Sequence, residues 1–202
     1  MQSILYVTGP DIVREPKRVA LSITSAMGIA TSWYLSLYPF LLNPTLSKRV
    51  DEQLALADAN MAPDLSWLTE LSLPLFATFV SIQVIHELAH RAAAAFYDVE
   101  LSVPTWVPSI ITGITSSVTT FKTPPISRKA LFDVSLAGPL AGMMASLVAI
   151  GVGSQLTASM DASSFPALPL EILRQSTLGG AIIDNTLSGV LGVPEGAMGT
   201  SA

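Results

Sequence analysis

Cysteine is absent from the 202 residues, histidine occurs only twice, and charged side chains make up only 12% of the chain. Without cysteine there are no disulfides, no thiolate metal ligands and no cysteine nucleophile, although the absence assigns no redox compartment. Soluble domains carry about 25% charged residues, so the low charge argues against an ordinary soluble surface. With half of the residues hydrophobic, the composition is that of a membrane protein. The net charge of −5 leaves no basic patch, and no nucleic-acid partner is expected. Residues 1–17 lack the apolar core of a signal peptide, and Asp11 and Glu15 separate them from an acid-poor transit peptide. There is no internal repeat and no low-complexity tract.

What the chain does hold is concentrated in one pentapeptide, His86-Glu87-Leu88-Ala89-His90. On a helix this H-E-x-x-H spacing puts two imidazoles on one face, one turn apart, where both can grip one zinc ion. Glu87 is then placed to act as general base on a metal-activated water. The bland alternative is two core histidines flanking a charge by coincidence. The uncharged run at 71–85 just upstream argues against it, because a glutamate inside a membrane helix is costly and by default marks function.

Three largely apolar segments are long enough to cross a bilayer, which takes about 20 residues. The first, 19–42, follows Arg14, Lys17 and Arg18 and carries Trp33, Tyr34 and Tyr38 toward its far end as an interfacial belt. The second covers 71–97, with Pro74 suited to a first helical turn and His86 roughly 15 Å below Leu75, near mid-bilayer. Arg91 is expected to point into protein or toward the interface. The third, 134–160, contains Gly138-Pro139 and Gly142, a G-x-x-x-G that lets helices approach closely. A weaker fourth candidate, 168–193, is interrupted by Glu171, Arg174 and Asp184. The acidic stretch 43–70 reads as a loop on account of Pro44 and Pro63.

Residues 101–121 are also uncharged, but Pro104, Pro108 and Gly113 break a helix there. The Ile, Val, Thr and Ser content of 110–121 favours extended backbone. A strand pair or re-entrant element over 101–125, lying beside the helices, and a plain surface hairpin are both open at this point. The organisation expected is an N-terminal segment (1–18) on the cytosolic or equivalent side, a membrane core (19–160), and a C-terminal part (161–202). Basic residues before the first span and at Lys122, Arg128 and Lys129 set that orientation.

The zinc pentapeptide is joined by Leu101-Ser102-Val103-Pro104, Trp106-Val107-Pro108 and Phe132-Asp133-Val134-Ser135-Leu136-Ala137-Gly138-Pro139. In this order and spacing the series resembles the site-2-type intramembrane zinc metalloproteases. Within them it is similar to the plastid and cyanobacterial branch that includes plant proteins named for ethylene-dependent gravitropism deficiency and yellow-green leaves. The resemblance covers about 65–155. It implies a mainly α, polytopic membrane protein with three to four transmembrane helices and a small β hairpin or re-entrant element. It further implies zinc held by His86 and His90, general-base work by Glu87, a membrane-protein or peptide substrate, a lipid bilayer around the chain, and a plastid or cyanobacterial membrane. The extended segment near 112–121 is implied to lie at the active site, with an edge able to take substrate as an added strand.

The family's third ligand, an aspartate in a Leu-Asp-Gly motif, has no counterpart here. Of Asp98, Asp133, Asp161 and Asp184, only Asp184 sits in a late apolar segment, and Asp133 suits a helix entry. The expectation is a chain that stops before the ligand-bearing helix and is incomplete or inactive alone. The alternatives are a pseudoprotease or membrane scaffold without catalysis, and a transporter lined by His86, Glu87 and Arg91, for which no symmetrical halves are found.

Overall fold

The architecture follows from where long helices start and stop. In the computed structural model, residues 18–58, 62–111, 113–159 and 176–187 are described. Helix α1 runs Arg18–Leu41, α2 Pro44–Asp58, α3 Ser66–Phe96, α4 Arg128–Ser159 and α5 Thr177–Leu187, with strands β1 (Thr105–Ser109) and β2 (Gly113–Val118) between α3 and α4.

Residues 43–58 are not a loop. Asn43 Oδ1 accepts the Thr45 N–H at 3.0 Å, which makes Asn43 a cap and puts Pro44 at the first helical position, where its missing N–H costs nothing. The proline read as a breaker is a start signal. The helix it opens is amphipathic, and Leu46 joins Phe40 and Leu68 in a buried cluster. The helix α3 opens at Ser66, five residues before the uncharged run, since helices continue through flanking polar residues that a hydropathy reading trims. At its far end, Val99 N–H donates to Ala94 O (2.9 Å) and Asp98 N–H to Ala95 O (3.4 Å), with Asp98 at φ 52°. That is a Schellman ending with aspartate in the left-handed position usually given to glycine.

Helices α3 and α4 are long and apolar enough to cross a membrane. Among the described residues these two pass on both length and apolarity, so the expected three to four such helices are met in part. Helix α1 has the length, but its many hydroxyl residues dilute it. Of the fourth candidate, only the 11-residue helix Thr177–Leu187 is described, too short to span, and the remainder lies outside the described residues. Ser176 caps that helix, its Oγ accepting Gly179 N–H at 3.2 Å. Ser32 and Ser36 on α1 and Ser72 on α3 are buried, and Trp33 of α1 meets Phe76 of α3 edge-on with centroids 5.1 Å apart. Small residues of this kind let helices pack closely.

The extended segment is an antiparallel hairpin, Thr105 opposite Val118 and Trp106 opposite Ser117, with an irregularity between Val107 and Pro108. Its base is closed by a Leu101–Phe121 bridge. The hairpin lies on α1: Trp106 N–H donates to Ser25 Oγ at 3.2 Å, and a Cβ at Gly28 would stand 3.1 Å from Trp106 O and 3.3 Å from Trp106 Cβ, tighter than ordinary contact. Thr105 and Ile114 are buried while Ile110 and Ile111 at the tip are exposed, so the expected strand pair is present and lies against α1.

Candidate metal centre

The two histidines converge. His90 Nε2 and His86 Nε2 lie 3.1 Å apart, and the rings are nearly perpendicular at 74°. On the opposite side of its ring, His90 Nδ1 is 2.6 Å from the carbonyl oxygen of Val134 on α4. A carbonyl only accepts, so Nδ1 carries the proton and the Nε2 lone pair faces His86. Ring nitrogens this close share either a proton or a cation. Two ligands of a tetrahedral zinc, each about 2.0–2.1 Å from it, stand roughly 3.3 Å apart, so the pair fits that ion with little adjustment. The carbonyl behind His90 is the kind of outer partner that metal-bound imidazoles use.

Glu87 is buried, with 5% of its surface exposed. A charged carboxylate in such a place requires donors. The hairpin supplies them: Ser117 Oγ donates to Oε1 and Thr119 Oγ1 to Oε2 at 2.9 Å. The hairpin therefore holds both oxygens of the carboxylate that follows His86 in sequence. Arg91, one residue past His90, turns outward, its Nη2 donating to Ser102 O at 3.1 Å. It ties α3 to the lead-in of β1 and remains exposed.

The glycines of α4 have an unexpected neighbour. A Cβ on Gly138 would overlap the His90 ring, 2.7 Å from Cε1 and closer still to Nε2 and Cδ2; one on Gly142 would stand 3.2 Å from His86 Nδ1. The G-x-x-x-G thus faces two rings rather than a bare helix backbone. These contacts, like those of Ser117 and Thr119, were missed by sequence reasoning. A glycine pair with the same four-residue spacing as the histidine pair was the available signal.

No third ligand joins the site among the described residues. Among the described residues there is no group of three or more His, Cys, Asp or Glu able to hold a metal, so Asp184 is not brought to the imidazoles. Asp133, expected only to favour helix entry, accepts a hydrogen bond from the Tyr97 hydroxyl. It ties the end of α3 to α4 instead of ligating. Asp98 forms the left-handed turn after α3, and Asp161 lies outside the described residues.

Comparison with known proteins agrees with the resemblance. The chain is 34% identical over 129 residues to the probable zinc metalloprotease EGY1, chloroplastic, of Oryza sativa subsp. japonica, covering 62% of this chain and 22% of that protein. It is 35% identical over 129 residues to the Arabidopsis thaliana protein of the same name, covering 62% of this chain and 24% of the relative. It is 39% identical over 82 residues to the probable zinc metalloprotease EGY3, chloroplastic, of Oryza sativa subsp. indica, covering 41% of this chain and 14% of the relative. The chain spans 22–24% of the length of the two EGY1 relatives. No family model matches, and no solved structure matches.

Proposed function

This chain is kin to the plant EGY zinc metalloproteases, and from that kinship we propose that it carries the metal-binding core of a site-2-type intramembrane endopeptidase. The observation that carries the reading is the pair of Nε2 atoms 3.1 Å apart beside a buried glutamate. His86 and His90 would hold zinc, which supplies Lewis acidity toward a peptide carbonyl and its attacking water. Glu87, fixed through both oxygens, takes the proton from that water and returns it to the departing amine. His90 keeps its Nδ1 proton on Val134 O throughout, so its ring does not compete as a base. Substrates are peptide bonds of membrane proteins, and the membrane is that of a plastid or its cyanobacterial equivalent.

We count α1 as a third span. Three of its hydroxyls donate to its own backbone: Ser22 to Arg18 O (3.0 Å), Thr24 to Ala20 O (2.9 Å) and Thr31 to Met27 O (3.0 Å). Satisfied in this way, they are tolerable in lipid.

The test is metal content. Purified protein is expected to hold zinc, to lose it in His90→Ala, and to keep it in Glu87→Gln while losing cleavage of a membrane-peptide substrate. Zinc retained at wild-type level in His90→Ala overturns the reading. A second reading, a pseudoprotease that binds membrane proteins without cutting them, is favoured by the absence of a third ligand among the described residues. A zinc-loaded wild type that cleaves no faster than Glu87→Gln decides for it.

A further inference from the structure

We infer that Gly138 is a positioning residue for the imidazole pair, and that Gly142 serves the same end more weakly. The inference rests on the proposal that the pair binds a metal ion. Helices α3 and α4 run antiparallel, and residues four apart on one meet residues four apart on the other: 138 opposite 90, 142 opposite 86. At 138 the three nearest side-chain atoms are all of the His90 ring, so the missing Cβ makes room for that ring and not for a helix backbone.

The bare backbone at 138 lets the ring lie against α4. One helical turn earlier, Val134 O takes its Nδ1 proton. A methyl group at 138 would swing the ring away, break that bond and turn the Nε2 lone pair off the line toward His86. At 142 the prospective contact of 3.2 Å is tight but can be relieved by a shift of a few tenths of an ångström. Gly151 and Gly153 on the same helix face open space, so glycine there has no such duty, and they serve as internal controls.

The experiment uses the full-length protein in detergent, with Co2+ as a spectroscopic stand-in for zinc and thermal melting by circular dichroism as a second readout. Gly138→Ala is expected to weaken Co2+ binding about 10- to 100-fold, the usual effect of disturbing a ligand's outer partner. Gly142→Ala should weaken it by about 10-fold at most, the lower end of that scale, and Gly151→Ala and Gly153→Ala should match wild type. Gly138→Ala should also lower the melting temperature in the wild-type background but not in His90→Ala, where the ring is gone. Such a cycle isolates the contact.

Unchanged Co2+ affinity in Gly138→Ala, or equal destabilisation in both backgrounds, overturns the inference. If Gly138→Ala alone does not fold, a folded His90→Ala/Gly138→Ala double variant supports it and an unfolded one overturns it. A wild type that binds no Co2+ sinks the metal reading instead, and the melting cycle still decides whether Gly138 seats the ring.

Discussion

Glu87 shows how much of the site is made far from the motif. Its two oxygens accept hydrogen bonds from Ser117 and Thr119, thirty or more residues away in sequence. A hydrogen bond to a charged group contributes about 1.5–3 kcal/mol, and here it also sets which way the carboxylate points. On the hydrolase reading, Thr119→Val, which keeps the side-chain volume and removes the donor, should lower kcat about 10- to 100-fold by that figure. KM and zinc content should stay unchanged, and Thr119→Ser should restore most of the rate. An unaltered kcat in both Thr119→Val and Ser117→Ala would mean that α3 alone orients the base. The pentapeptide was legible because its chemistry is local: two rings one turn apart and an acid between them. The hydroxyls were legible only as β-forming residues, since the hairpin's register and its seat on α1 decide which of them reach Glu87. Gly138 and Gly142 were legible as small residues but not as ring seats, because a spacing pattern does not say what occupies the space.

At the level of elements, hydropathy found α3 and α4 and misread 43–58. That stretch has few apolar residues, and its helix is recorded in its cap and in the side that packs on Phe40 and Leu68. The start of α3 is built in a similar way. Asp64 Oδ1 accepts the Ser66 N–H at 3.0 Å and the Ser66 hydroxyl at 2.6 Å, and Asp64 N–H donates to Gln53 on α2. The Ser66 hydroxyl, then its N–H, and more weakly the nearby Arg49 charge hold the Asp64 carboxyl below its ordinary value of 3.8. Because the folded-state value is depressed, the contribution to stability is present above the unfolded-state value and is lost as pH falls through the folded-state one. Residue-resolved titration of Asp64 should therefore give a midpoint below 3.8 that moves up in Ser66→Ala. Coincident midpoints in the two proteins would show that the Ser66 hydroxyl bond to Asp64 is not made in solution. Asp64 is exposed, so the melting temperature of the whole protein should change little across this range.

The molecule as a whole presents an exterior that water does not favour. On α4, Leu136, Leu140, Met144, Val148, Val152 and Leu156 are all exposed. Leu140 and Met144 each follow one of the ring-seating glycines by two residues, about 200° around the helix, and so lie on the side away from the site. A core helix of a soluble protein would be mostly covered, yet only 11% of the apolar windows of α3 and α4 is buried. Both helices run to about 46 Å, beyond the roughly 30 Å of a hydrocarbon core, which leaves their polar ends for the interfaces. If lipid covers this face, the protein should remain with membranes through alkaline extraction, and Met144→Arg, near the middle of α4, should carry an insertion penalty of about 2.5–3.5 kcal/mol. That penalty reduces the membrane-integrated fraction severalfold or more without touching the imidazole pair, so any integrated Met144→Arg protein should still bind zinc. Wild-type protein recovered as a monodisperse soluble species without detergent would refute lipid coverage. It would require a partner surface to hide the same stripe, because exposed rows of this length do not persist in water.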